Sequence, residues 1–124
     1  MLTASKAILA PGASRPSLGR SAAITVAIGE VDEESRRLIS TTLSSLYAGV
    51  EQMAPGKRLG DVGAAVQETV EREGFSVVRD FVGHGIGRDL HEEPQIPNFG
   101  VAGRGPALKA GMVLAIETMI NSGR

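Results

Sequence analysis

The residues best able to do chemistry in this chain are two histidines and one isolated acid. Both histidines fall in the stretch Phe81-Val82-Gly83-His84-Gly85-Ile86-Gly87-Arg88-Asp89-Leu90-His91-Glu92-Glu93-Pro94. His84 stands between Gly83 and Gly85, with Gly87 two residues on. Glycines at alternate positions cost conformational entropy and supply no side chain to a core. They suit a place where backbone must come close to an ion or ligand. The alternative is a glycine-rich turn that happens to hold a histidine. The isolated acid is Glu117, within Met112-Val113-Leu114-Ala115-Ile116-Glu117-Thr118-Met119-Ile120. A carboxylate inside an apolar strand must be paired, hydrogen-bonded or metal-bound, because an isolated buried charge is very costly. Simple alternation also permits Glu117 to face solvent or to meet an arginine.

Imidazole and carboxylate together suit divalent first-row metals such as Mn, Fe, Co or Zn. The seven-residue step from His84 to His91 does not match a helical motif such as H-E-x-x-H. In a flat strand it places the two rings on opposite faces. A shared cavity therefore requires a bend, which Gly85 and Gly87 permit. Other chemistries find less support. Gly83-His84-Gly85-Ile86-Gly87 lacks the Lys-Ser/Thr ending of a phosphate loop, and no serine sits in a nucleophile-elbow pattern. Glu92-Glu93 reads as loop charge, since a glycosidase dyad needs two separated acids.

The elements that must position these residues follow from punctuation and periodicity. Residues 1–20 are rich in Ala, Ser, Gly and Pro and read as irregular or disordered. Ala22 to Ile28 is a β-branched run closed by Gly29 and reads as a strand. Asp32 is placed to cap a helix whose buried face takes Leu38, Ile39, Leu43, Leu46, Tyr47, Val50 and Met53. Pro55-Gly56 ends it. A second helix starts at Asp61, turns Val62, Ala65, Val66, Thr69 and Val70 inward, and ends at Gly74 as a C′ glycine. Phe75 to Val82 reads as a strand delivering the chain to His84, Gln95 to Lys109 as a loop, and Met112 to Ile120 as a buried strand.

Composition limits the partners. The chain has 124 residues, 42% hydrophobic and 22% charged, with a formal net charge of -1. That describes one globular domain with no polycationic face for nucleic acid or an anionic membrane. With no cysteine, any metal must be held by imidazole and carboxylate. No apolar run approaches the length of a bilayer span, and the amino-terminal run Ala7-Ile8-Leu9-Ala10 is too short for a secretory signal. A cytoplasmic location is the default expectation.

Gly83 to Pro94 closely resembles the signature of type I methionine aminopeptidases, and Gln95-Ile96-Pro97-Asn98-Phe99-Gly100 continues it, although histidine is commoner where Asn98 stands. Leu108 to Asn121 is similar to the same family's metal-glutamate strand, with Thr118 where proline is usual. The likeness covers roughly residues 21–124, which divides the chain into an irregular segment 1–20 and a partial catalytic domain 21–124. What the resemblance implies is an α+β, partial pita-bread (creatinase/aminopeptidase-like) fold, a curved antiparallel sheet flanked by two helices. It implies a metallopeptidase that removes the initiator methionine of nascent proteins with a metal-activated water. Two divalent cations (Co, Mn, Fe, Zn or Ni) are held in that family by two aspartates, one histidine and two glutamates. Carried over, His84 and Glu117 are metal ligands, His91 is the substrate-binding and catalytic histidine, and Glu117 is also catalytic. The substrate would be the N-terminal Met of nascent peptides, in proximity to the ribosome, with no nucleic acid or membrane partner.

The departures set the competing expectations. Ser21 stands where the family places a metal aspartate, residues 1–20 hold no counterpart of the preceding aspartate strand, and Arg124 ends the chain before a second glutamate. The expectation is therefore a fragment, weakly active or inactive alone. The alternatives are an inactive remnant acting as a binding module, and an Xaa-Pro peptidase relative.

Overall fold

The computed structural model describes residues 2–9 and 22–123. They form β1 (Leu2–Leu9), β2 (Ala22–Ala23), α1 (Glu33–Glu51), α2 (Leu59–Arg72), β3 (Ser76–Val77), β4 (Gly83–Gly85), β5 (Glu92–Ile96) and β6 (Leu114–Asn121). The sheet runs β2-β1-β6-β4-β5, with β3 also paired to β6, and every pairing is antiparallel. This is the expected α+β arrangement of two helices on an antiparallel sheet.

β6 is central, and its alternation decides what lies on each side of the sheet. Leu114, Ile116, Thr118 and Ile120 are buried on one face. Ile116 packs with Leu46, Leu59 and Val62 of the helices, and Ile120 with Leu38, Val66 and Val70. Ala115 and Glu117 therefore point to the face away from the helices. Burying an apolar side chain of this size contributes about 1.5–3 kcal/mol, so the register of β6 is strongly specified: a one-residue slip would exchange Ile116 and Ile120 for Glu117 and Asn121.

Asp32 caps α1 as expected, accepting from the Ser35 N–H at 2.8 Å and from its hydroxyl at 2.9 Å. These bonds hold the Asp32 carboxyl below the ordinary carboxylate range. The seam α1 buries differs from the expected apolar stripe. Ser35, Leu38, Thr41, Thr42, Ser45, Leu46 and Gly49 are buried, whereas Tyr47 is 59% exposed and Ile39 and Leu43 are half-buried. Small residues win because the helices sit too close for larger ones. A Cβ at Gly49 would lie 2.9 Å from a Val66 methyl. The buried hydroxyls are satisfied within the helix, Thr42 by the Leu38 carbonyl at 2.7 Å and Ser45 by the Thr42 carbonyl at 2.8 Å.

α2 begins two residues before Asp61. The Asp61 carboxylate accepts from the Arg58 N–H and from the Gly103 N–H, both at 2.7 Å, and these bonds lower its pKa. Gly74 takes a φ of +81°, as a C′ glycine should. The helix is seated on the loop that follows β5. A Cβ at Gly63 would lie 2.6 Å from the Phe99 carbonyl carbon and 2.9 Å from the Pro97 oxygen. The Gly60 N–H donates to the Arg104 carbonyl at 2.9 Å.

Three further expectations need correction. Residues 1–20 are not irregular throughout: Leu2–Leu9 is β1, paired with β6 from Leu2↔Asn121 to Leu9↔Leu114. Alanine, serine and lysine weaken the local strand signal there, and the edge of β6 supplies the pairing. Residues 10–20 lie outside the described residues. In the run Ala22 to Ile28 strand pairing stops at Ala23, leaving Ile24, Val26 and Ile28 exposed. Likewise only Ser76–Val77 of the run Phe75 to Val82 is strand. Extended propensity does not by itself provide a neighbouring strand.

Candidate metal and substrate site

The glycines around His84 do serve close approach, and what approaches is backbone. A Cβ at Gly83 would lie well inside contact distance of the Ala115 carbonyl oxygen, and one at Gly85 would stand 2.8 Å from the Glu93 carbonyl carbon. β4 is thus pressed between β6 and β5 with no room for side chains at either position. Gly87 differs, since its Cβ would meet only the flexible end of Glu92.

The chain then makes the bend that both rings require. Gly83 pairs with Ile96 and His84 with Gln95, but Gly85 pairs with Glu92, so Glu93 and Pro94 form a bulge. The Glu93–Pro94 peptide bond is cis. Between the strands, the Gly87 N–H donates to the Asp89 carbonyl at 3.1 Å, and the Asp89 N–H to Glu92 Oε1 at 2.9 Å. Glu92 and Glu93 are exposed and organise this turn, as loop charges. His91 returns beside His84, ring centroids 4.1 Å apart and planes tilted by 37°. His84 is buried and His91 exposed.

Register brings in the acid. His84 lies opposite Ala115 on β6, so Glu117, two residues along the same face, is its diagonal neighbour and within reach of a long side chain. His84 Nε2 and Glu117 Oε1 are 3.3 Å apart. His84 Nδ1 is 2.9 Å from the Gly85 carbonyl oxygen. A carbonyl only accepts, so Nδ1 carries a proton and Nε2 is the ring atom turned toward the carboxylate. Nε2 is buried and has no hydrogen-bond partner. A buried ring nitrogen without a hydrogen bond is costly. A divalent cation bound by both atoms would give Nε2 a partner, and a nitrogen–oxygen donor pair suits one. His84 and Glu117 therefore fit a metal, with the backbone bond fixing the ring as carbonyls behind metal-ligating histidines commonly do.

The site gathers His84, His91 and Glu117, the three residues singled out in the sequence. Among the described residues no group of three His, Cys, Asp or Glu side chains is placed to hold a metal. Ser21, where the family likeness places an aspartate, and Arg124 lie outside the described residues. One contributor was not among the candidate site residues. Asn98, 1% exposed, donates from Nδ2 to the Glu117 carbonyl at 2.7 Å. Thr118 is fully buried and donates its hydroxyl to the Thr42 carbonyl at 3.3 Å.

Comparison with known proteins agrees with this geometry. The sequence model of metallopeptidase family M24 matches residues 21–123. The methionine aminopeptidase of Clostridium perfringens is 55% identical over 102 residues, which are 82% of this chain and 41% of that protein. Methionine aminopeptidase 1 of Bacillus subtilis is 50% identical over 99 residues, 80% of this chain and 40% of its own length. The crystal structure of methionine aminopeptidase from Thermotoga maritima superposes with a TM-score of 0.78 at 51% identity, covering 81% of this chain and 40% of that one. The Rickettsia prowazekii enzyme superposes with a TM-score of 0.75 at 46% identity. The chain spans about two fifths of the length of these relatives. With most of its residues inside the family match and its histidine–carboxylate pair on the shared scaffold, the chain belongs to metallopeptidase family M24.

Proposed function

We propose that His84 and Glu117 hold a divalent metal ion and that His91 meets the substrate, in a chain built on the plan of a methionine aminopeptidase. The observation that carries this reading is the partnerless, buried Nε2 of His84, 3.3 Å from the Glu117 carboxylate. A bound divalent ion (Co, Mn, Fe, Zn or Ni) lowers the pKa of a water and polarises a substrate carbonyl. The protein's part is positional and protonic. The Gly85 carbonyl holds the His84 tautomer, and Glu117 supplies a carboxylate oxygen and can accept a proton from water. Exposed His91, stacked on His84, is free to donate a hydrogen bond to charge developing on the scissile group. The substrate in this reading is the N-terminal Met of nascent chains, near the ribosome in the cytoplasm. Among the described residues no helix is long and apolar enough to cross a membrane.

A second reading is favoured by Ser21, which stands where the family likeness places a metal aspartate: a scaffold that keeps the site's outline without turnover. In that reading metal binding is weak and this chain alone has little or no peptidase activity. Isothermal titration with Mn²⁺ or Co²⁺, beside hydrolysis of Met-Ala and Xaa-Pro peptides, separates these readings. The metal assignment predicts binding that His84→Ala and Glu117→Gln each abolish. Binding indifferent to both substitutions refutes it. Cleavage of Xaa-Pro peptides alone would point to the Xaa-Pro relatives instead.

A further inference from the structure

We infer that Asn98 is a positioning residue for Glu117: its side-chain amide supplies a rung of the β6 ladder that no strand provides. This rests on reading His84 and Glu117 as metal ligands. Along one edge of β6 the odd-numbered carbonyls face β4 and β3. Val113 accepts from the Ile86 N–H at 2.8 Å, and Met119 from the Val78 N–H at 2.9 Å. β4 covers Ala115, and β3 begins pairing only at Ile120. Residues 78–82, which join β3 to β4, form no strand. The Glu117 carbonyl opens into the resulting gap, where Asn98 Nδ2 meets it at 2.7 Å.

Asn98 is itself firmly held. It follows β5 by two residues and is 1% exposed. α2 bears on its neighbours through the close approach of Gly63 to Pro97 and Phe99, and the Gly100 N–H donates to Gln67 Oε1 at 3.3 Å. Arg79 lies over the Phe99 ring, 4.3 Å from its centroid. The amide thus fixes the Glu117 backbone from the side opposite β1. The side chain leaving that backbone must place Oε1 against His84, and a small rotation of the peptide would move the carboxylate off Nε2. A loop anchored by α2 therefore sets the metal carboxylate without touching it.

Asn98→Asp removes the donor at nearly constant shape and sets an anion against a carbonyl, while Asn98→Leu removes polarity. Asn98→His restores an N–H at the same bond count from Cα, since Nδ1 stands where the amide nitrogen does. In the metal-free chain at one fixed pH, imidazole ¹⁵N resonances of His84 should move in the Asp and Leu variants and return toward wild type in the His variant. Mn²⁺ affinity should fall at least tenfold in the first two and recover in the third. If His84 resonances stay put and affinity holds within twofold, Asn98 is only structural and the inference is wrong, whatever the thermal stability does. A wild-type chain that binds no Mn²⁺ defeats the metal reading, and the metal-free resonances still decide positioning. Should the substituted chains fail to fold, the trans-hydrogen-bond scalar coupling between Asn98 Nδ2 and the Glu117 carbonyl in the wild-type chain decides. Its absence overturns the inference, and its presence supports it.

Discussion

Substituting the three glycines around His84 one at a time tests whether they are there for backbone approach. None of the three has a positive φ, so alanine is conformationally allowed at each and loses less entropy on folding, a gain of about 0.4–1 kcal/mol. The differences come from space. At position 85 the new methyl would sit 2.8 Å from the Glu93 carbonyl carbon and 3.0 Å from the Glu92 oxygen, and nearer still to the Glu93 oxygen. Those atoms are backbone in the partner strand, so β5 must move bodily away from a β4 only three residues long. Overpacking of this kind costs about 1–3 kcal/mol, leaving Gly85→Ala net destabilising by about 1–2 kcal/mol. At position 83 the Ala115 carbonyl imposes the same conflict, and Gly83→Ala should behave alike. At position 87 the obstacle is the end of the exposed Glu92 side chain, 2.7 Å away at Cδ. It can swing aside for the loss of its bond to the Asp89 N–H, about 0.5 kcal/mol for an exposed hydrogen bond. Gly87→Ala should therefore stay within about 0.5 kcal/mol of wild type. The chain has no tryptophan, so thermal unfolding followed by far-UV circular dichroism is the suitable assay. A drop of roughly 3–10 °C in Tm is expected for the first two variants, scaling about 1–2 kcal/mol to a domain of this size. If Gly85→Ala is as stable as Gly87→Ala, or all three lose equally, the strand-contact argument fails.

Gly63→Ala should gain up to about 1 kcal/mol of helix propensity yet lose more to collision with the Phe99 and Pro97 carbonyls, for a net loss of about 1–2 kcal/mol; a stabilised variant in thermal unfolding would contradict the seating of α2. Thr118→Pro removes a buried hydroxyl and the strand N–H that alternation directs toward β1, leaving the Ser5-to-Thr118 register of β1 weakened. The expected cost is about 1–3 kcal/mol, with faster amide exchange in Leu2–Leu9; unchanged exchange would refute it. Asp32 and Asp61 both have carboxyls held below the ordinary range by backbone N–H donors, from Ser35 and from Arg58 respectively. A folded-state pKa below the unfolded one stabilises above the ordinary carboxylate pKa, and that stabilisation is lost as pH falls through the folded value. Asp32→Asn and Asp61→Asn keep an acceptor but not the charge. Each should flatten the stability-against-pH curve between about pH 5 and about pH 2, and an unchanged acid limb would refute the assignment.

What the sequence made legible was set by how local each signal is. Asp32 capping α1, Gly74 closing α2 and the apolar run of β6 each depend on a few adjacent residues, and each appears where expected. His84 and Glu117 could be nominated separately, as a histidine among glycines and an acid among aliphatics. Their meeting depends on the β4–β6 register, and the return of His91 depends on a two-residue bulge, which no spacing rule announces. The buried face of α1 was misjudged for a related reason. Periodicity counts large apolar residues, whereas the contact with β6 and α2 selects small ones, so Ser45 and Gly49 lie inside while Tyr47 lies outside. Asn98 stood out only as a departure from the family's commoner histidine, because its role is to complete a ladder interrupted by residues distant in sequence.

These gaps in legibility share a physical origin that bears on the site itself. A pair of ligands on adjacent strands can be no better placed than the backbones that carry them, and here each backbone is fixed by something small or absent. β4 is positioned by missing side chains at Gly83 and Gly85, which let it press against Ala115 and Glu93. β6 is steadied at Glu117 by one amide reaching in from a loop that α2 can approach only because residue 63 is glycine. The 3.3 Å separation of His84 and Glu117 is thus set by the scaffold that carries the two side chains. A scaffold that holds an imidazole nitrogen and a carboxylate oxygen together makes sense where a cation is to be shared between them. It follows that mutations far from the histidine, at Gly63 or Asn98, should change metal affinity in ways that inspection of the ligands alone would never suggest.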